Sequence, residues 1–315
     1  MKCRVLLTVD TELTWGHYAR GGSWRENFAR AYEAAGVGIP YQLGILAGHG
    51  LKACFFVDPM PALVYGIEPI RRMVRPILDA GQEVQLHLHS FWHDLAEGRA
   101  EPRYELTDFD PKGQRDLIRA ARDLLVEAGA PLPIAFRSGS YAADDSTLDA
   151  LAALGLRYDS SHNGSHHPWP SALSIAPAQC APVEHRGIVE IPVSQIEDKV
   201  GRLRHLQLCA LSSAELRQAL LHAARHCHPV TTIVSHSFEL ASRDGLRPNH
   251  ALRRRFETLC AFLAEQQDRL PTAHFADFDD LPLDRSAAPL PANALRRADR
   301  MVQQLWSNAI YERRL

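Results

Sequence analysis

Short runs of β-branched and aromatic residues alternate with longer stretches of helical period along most of the chain, and this alternation constrains the fold more than any other feature. The short runs are residues 3–9, 52–57, 83–88, 133–136, 188–193 and 230–235. Between them, residues 39–49, 65–80, 112–129, 145–154, 212–227 and 249–266 repeat apolar side chains every three or four positions, the stripe by which a helix packs on a core. Gly81, Gly129 and Gly155 stand where three of these stretches stop, as expected of helix ends. Strands separated by helices pair in parallel, so the pattern predicts a parallel sheet or α/β barrel and excludes an all-β sandwich.

Residues 11–38, rich in Trp, Arg and Gly, read as an insertion after the first strand, and residues 159–170 as an irregular polar loop. A helix is predicted over 293–313, packed outside the domain or used for self-association. The 35 basic and 37 acidic residues leave a net charge of −2, which provides no electrostatic footprint for nucleic acid. Cys3, Cys54, Cys180, Cys209, Cys227 and Cys260 form no CxxC pair, so free thiols in a reducing compartment are expected. No stretch has the ~20 apolar residues of a membrane-spanning helix, and the expected location is cytoplasmic.

Chemistry gathers at the strand ends. Thr8–Glu12 closes the first strand, His87–His93 follows the third, Arg137–Tyr141 the fourth and Ser235–Glu239 the last. In a parallel α/β architecture these carboxyl ends share one face, where active sites sit. Asp10 and Glu12 alternate along a strand and so point to one side; one could ligate a metal while the other acts as base, or one could pair with Arg20. His87 and His89 share a strand face, whereas His89 and His93 have the spacing of a helical turn. Either pair could offer two imidazoles to one ion at about 2.0–2.1 Å. Arg137 and His236 gain weight from their positions. His222, His226 and His228 surround Cys227 on the opposite rim and read as surface histidines beside a buried thiol. His166 and His167 read as part of a solvated loop.

These segments resemble the polysaccharide deacetylases with the NodB homology domain, carbohydrate esterase family four. Thr8–Glu12 resembles the family's first motif, His49–Val57 its second core strand, Gly81–His87 the approach to its histidine motif, Phe136–Tyr141 its arginine motif, Leu156–Ser161 the segment after that, and Val234–Ser237 its last motif. A more distant likeness is to the subgroup found in lipopolysaccharide and O-antigen gene clusters, which carries a similar histidine strand. The resemblance implies an α/β fold, a deformed (β/α) barrel with about seven strands: a deacetylase domain over 1–284 and a C-terminal linker and helix over 285–315.

It also implies hydrolysis of the acetamide of an N-acetylated sugar with a divalent metal, Zn²⁺. On that pattern Asp10 is the base, Arg137 orients it, His236 is the acid and a backbone N–H near Tyr141 holds the oxyanion. Glu12, His87 and His89 are the metal ligands, with His93 in reserve, because the approach Gly81–Leu86 sets the register on His87. Trp92, with Trp15 and Trp169, suits stacking on sugar rings. Two departures matter: Thr11 stands where the commonest first motif has a second aspartate, and Phe91, not histidine, follows His87 by four. Two other readings keep the fold: a metal-independent cyclic amide or imide hydrolase, and a non-catalytic barrel that binds glycan or a partner. A glycoside hydrolase is disfavoured, because Asp10 and Glu12 lie too close together to flank a scissile bond. The partners expected are carbohydrate and, through the C-terminal helix, a second copy of the chain.

Overall fold

In the computed structural model, which describes residues 2–283 and 285–311, the first strand is β1 (Arg4–Thr11), buried from Val5 onward. Burial of both faces is what a parallel strand covered by helices experiences. Val5, Leu7 and Val9 pack under the helices, while Leu6 faces inward with Cys54, Phe56, Phe275 and Phe278. By the two-residue period, Thr8 and Asp10 share that inner side. The interior is thus apolar at the amino end of the strands and polar at the carboxyl end.

The other strands are β2 (Cys54–Val57), β3 (Glu83–Leu88), β4 (Ala135–Ser138), β5 (Tyr158–Asp159), β6 (Val183–His185), β7 (Ile188–Glu190), β8 (Gln195–Lys199), β9 (Arg202–His205) and β10 (Val230–His236). Eight of the ten form one sheet in the order β10-β1-β2-β3-β4-β5-β7-β6, and β8 and β9 form a separate hairpin. Seven strands run parallel, with β6 antiparallel at the edge, in agreement with the expected deformed barrel. The segment between β7 and β10 takes up the free edge of β10: Ser194 N donates to Thr232 O (3.2 Å), Val234 N to Leu206 O (2.8 Å) and Leu208 N to Val234 O (2.9 Å). Register does the positioning, since β1 and β10 pair with Asp10 beside His236, and β3 and β4 with His87 beside Arg137.

The helices are α1 (Trp15–Tyr18), α2 (Trp24–Ala31), α3 (Ile39–Gly48), α4 (Ala62–Tyr65), α5 (Glu68–Asp79), α6 (Phe91–Ala96), α7 (Pro111–Glu127), α8 (Asp145–Ala153), α9 (Ser213–Arg225), α10 (His250–Glu265) and α11 (Ala294–Tyr311). Helix α5 shows how pattern becomes packing. Its Ile70, Met73, Val74 and Ile77 are buried, each contributing about 1.5–3 kcal/mol of apolar transfer, and an aspartate at Met73 would place an unpaired charge in that layer. Among the described residues no helix is long and apolar enough to cross a membrane.

Several expectations need correction. The 159–170 segment is solvated only in its second half, where Pro168 and Trp169 are exposed, because Ser160, Ser161, His162 and Asn163 are all fully buried. These polar side chains follow β5 into the barrel mouth, where Ser160 Oγ donates to Ile191 O (2.8 Å) and Ser161 Oγ to Asp159 (2.7 Å). The thiol at Cys227 is exposed and His228 is buried, because a left-handed backbone at Cys227 (φ 52°) reverses the faces after α9. The 11–38 insertion is ordered around Asn27, whose amide donates to Thr14 O (2.8 Å) and accepts from Thr14 N (3.0 Å). Helix α11 covers most of the predicted 293–313; residues 312 and 313 lie outside the described residues. It docks on its own domain, where buried Arg300 pairs with Asp198 and lies 3.4 Å from Glu215.

Candidate active site

Two constellations meet at the carboxyl ends of β1, β3, β4 and β10. The first is built on Arg137, which is fully buried. Its guanidinium donates to Asp10 Oδ1 (2.7 Å), Thr8 Oγ1 (2.8 Å), Ser160 Oγ (3.0 Å) and Ser160 O (3.1 Å), and it stacks over Phe56 at 4.3 Å from the ring centroid. A buried charge is tolerated only when paired and hydrogen-bonded, and the buried serines after β5 supply what Asp10 alone does not. Asp10 is thereby fixed by one oxygen, and its Oδ2 faces His236 Nε2 at 4.0 Å.

Glu239, three residues beyond His236, completes this half. Its carboxylate accepts from His236 N (2.8 Å) and Cys209 N (2.6 Å) and lies 3.6 Å from His236 Nδ1. The Gln207 carboxamide stands 3.3 Å from the same nitrogen. Burial works against the His236 imidazolium, but the bond to Glu239 and the charges of Asp10, Glu239 and Glu12 overcome it and raise the pKa to about 9. His236 is therefore a protonated acid in the neutral range.

The second constellation is Glu12, His87 and His89, whose ligand atoms all lie within 4.8 Å of one another. His87 Nδ1 donates to Arg137 O (2.7 Å), so the lone pair sits on Nε2, 3.5 Å from Glu12 Oε2. This tautomer, set by a backbone carbonyl, is the one a metal-binding histidine needs. His89 Nε2 contacts the same oxygen. Burial tends to raise the Glu12 pKa, yet His89 and His87 hold the carboxyl well below its usual range. Glu12 Oε2 is buried between the two imidazoles. Two imidazoles and a carboxylate converging in this way fit a divalent ion held by three protein ligands with a position left open.

Gly139 allows close packing against His89, since a Cβ there would lie 2.4 Å from His89 Nδ1. The next two residues, Ser140 (φ 55°) and Tyr141 (φ 61°), are both left-handed, a strained turn of the kind that persists at functional sites. Tyr141 is buried, its hydroxyl without a partner.

Two residues predicted for the site are placed elsewhere. The chain turns from strand to helix at Ser90, so His93 falls on α6, where Nδ1 lies 3.2 Å from Asp94 and the ring packs edge-on to Phe109. Trp92 is fully buried, against Tyr18, Tyr65 and Phe91, and has no face to offer a sugar. Trp15, by contrast, lines the cleft beside Tyr104. Three further residues join the site. Glu239 had a signal, an acid three positions after the strand-end histidine. Asp58, the first residue past β2, is fully buried and pushed up to about 6 by burial, against the pull of His89 and His87. Gln207 arrives through the β8–β9 hairpin and carried no signal.

No family model matches the chain, and no curated protein matches it. Solved structures do. A protein from Mycobacterium smegmatis described as a polysaccharide deacetylase aligns over 87% of this chain and 93% of its own, with 23% identity and a TM-score of 0.53. The chain has the fold of a polysaccharide deacetylase. A 4-alpha-glucanotransferase from Thermococcus litoralis aligns over 92% of this chain and 41% of its own, with 10% identity and a TM-score of 0.55. A family 4 carbohydrate esterase from Streptomyces lividans, in complex with acetate, aligns over 91% of this chain and 98% of its own, with 14% identity and a TM-score of 0.46. The deacetylase fold thus accounts for the barrel, and the chemistry has to be argued from the side chains.

Proposed function

We propose that this chain is a metal-dependent hydrolase that removes the acetyl group from an N-acetylated sugar. The observation that carries the reading is the meeting of a carboxylate fixed by Arg137, a histidine charged by Glu239, and the Glu12–His87–His89 donor set at one barrel mouth. Glu12, His87 and His89 would hold the ion, for which Zn²⁺ suits the nitrogen and oxygen donors. When bound, such an ion supplies Lewis acidity toward the acetamide carbonyl and acidifies water.

The chain's own residues supply the proton transfers. Asp10, held at Oδ1 by Arg137, takes a proton from the attacking water at Oδ2, the oxygen that faces His236. Water oxygen bonds to the acetyl carbon, and the turn at Ser140–Tyr141 offers backbone N–H groups to the developing oxyanion, where fixed donors contribute most. His236 then gives its Nε2 proton to the sugar nitrogen as the C–N bond breaks, leaving acetate and a free amine. General acid catalysis of this type contributes typically about 10²–10⁴-fold. Zn²⁺-reconstituted protein should release acetate from N-acetylated sugars, and Asp10→Asn and His236→Ala should each abolish most of that release. Hydrolysis that persists in protein shown to hold no metal, or that neither substitution reduces, would overturn the reading.

A further inference from the structure

The cleft above the two constellations has a volume of about 760 Å³ and reaches from Glu12, His89 and Glu239 up to the 11–38 insertion and the 238–245 segment. Its acids are already engaged. Glu12 faces His87 and His89, Glu239 is held by the His236 and Cys209 amides, and Asp244 caps its own loop through Ser242 Oγ (2.6 Å) and Leu246 N (3.0 Å). Glu105 accepts from the Asp108 amide at the start of its own turn.

The cations of the same cleft are not engaged in this way. Arg20, Arg30 and Arg243 line it. Among the described residues Arg20 and Arg243 make no ion pair, and Arg30 donates only to the Asp244 carbonyl (3.3 Å). The walls that carry these guanidinium groups are packed together, because Gly245, at φ 71°, sits so close that a Cβ would come within 2.5 Å of Arg30 O. Trp15 and Tyr104, 41% and 46% exposed, stand edge to face at 5.6 Å beside them, a half-open aromatic corner with both apolar surface and polar tips.

We propose that this cleft selects an N-acetylated saccharide bearing an anionic group, a phosphate or a carboxylate, with Arg20 and Arg243 as its counter-charges and Trp15 and Tyr104 as the platform for a sugar ring. The proposal rests on the deacetylase reading of the site below it. Guanidinium matches both anions by paired N–H donors, and a cleft whose acids are internally committed leaves that capacity to the ligand.

Three probes test it: N-acetylglucosamine, N-acetylglucosamine 6-phosphate and N-acetylglucosaminuronic acid, assayed for acetate release by Zn²⁺-loaded protein and for binding by calorimetry to the Asp10→Asn variant. At least one anionic probe should exceed the neutral one by about tenfold or more in kcat/KM and in affinity, and the better of the two identifies the anion. The double variant Arg20→Ala/Arg243→Ala should reduce that ratio by about tenfold, with most of the loss in KM. Equal handling of all three probes, or a ratio the double variant leaves unchanged, overturns the anion proposal while leaving the deacetylase standing. Binding that prefers an anion without any turnover keeps the anion proposal and removes the deacetylase. Absence of binding by both anionic probes overturns the proposal outright.

Discussion

Replacing Glu239 by glutamine keeps the shape of the side chain beside His236 and removes its charge. The carboxylate stands 3.6 Å from Nδ1, with 23% of the histidine side chain exposed. Two unit charges at that separation interact by roughly 4–5 kcal/mol at an effective dielectric of about 20, an upper bound that partial exposure reduces by half or more. At about 1.4 kcal/mol per pH unit, the His236 pKa should fall by about one to two pH units from its value of about 9. On the proposed mechanism His236 acts as the protonated acid, so activity should be present below its pKa and lost as pH rises through it. The alkaline limb of kcat/KM, which reports the free enzyme's acid, should therefore move down into the range of about 7–8. Near pH 6 the variant should approach the native rate; at pH 9 it should fall behind by about fivefold to fiftyfold. Acetate release followed from pH 5.5 to 10 measures this, and Glu239→Asp, which retains the charge, should restore most of the limb. An unmoved limb in a variant with native thermal stability would refute the counter-ion assignment.

Three further outcomes follow from the packing. Glu12→Ala, His87→Ala and His89→Ala should each lower bound Zn²⁺ per chain by elemental analysis, whereas His93→Ala, on α6 and facing Asp94, should keep native metal content. Arg137→Met would strip buried Asp10 of its closest counter-charge and hydrogen-bond donor and should cost about 3–5 kcal/mol of stability in denaturant unfolding, in addition to activity. Trp92→Ala opens a cavity among Tyr18, Tyr65 and Phe91 and should cost about 3–5 kcal/mol; a rise in KM with unchanged stability would instead place Trp92 against substrate.

The barrel was legible because its two periods rarely conflict: inward residues of β1 alternate with outward ones, and the helical stretches fall between strands. The convergence of Asp10, Arg137 and His236 was legible for the same reason, as strand ends of a parallel sheet meet. Which histidines pair was not legible from spacing, because His87/His89 and His89/His93 each satisfy a regular period; the resemblance favoured His87 with His89, and the helix start at Ser90 sets His93 apart. The burial of Ser160 to Asn163 ran against composition. Polar runs read as solvated unless a buried cation is known to need their oxygens, and that cation, Arg137, lies more than twenty positions away in sequence. Gln207 was invisible because a hairpin, not a strand of the main sheet, carries it to the site.

The pairing of β1 with β10 joins groups from opposite ends of the chain, with Thr8 and Ile233 bonded at 2.8 Å across 225 positions. The donor set Glu12–His87–His89 belongs to the first three strands, whereas His236 and Glu239 belong to the last. On the proposed reading the cation ligands and the proton donor come from segments far apart in the chain, and His87 takes its orientation from the Arg137 carbonyl on β4. Neither half of the site is therefore finished until the later strands are in place and β10 closes against β1.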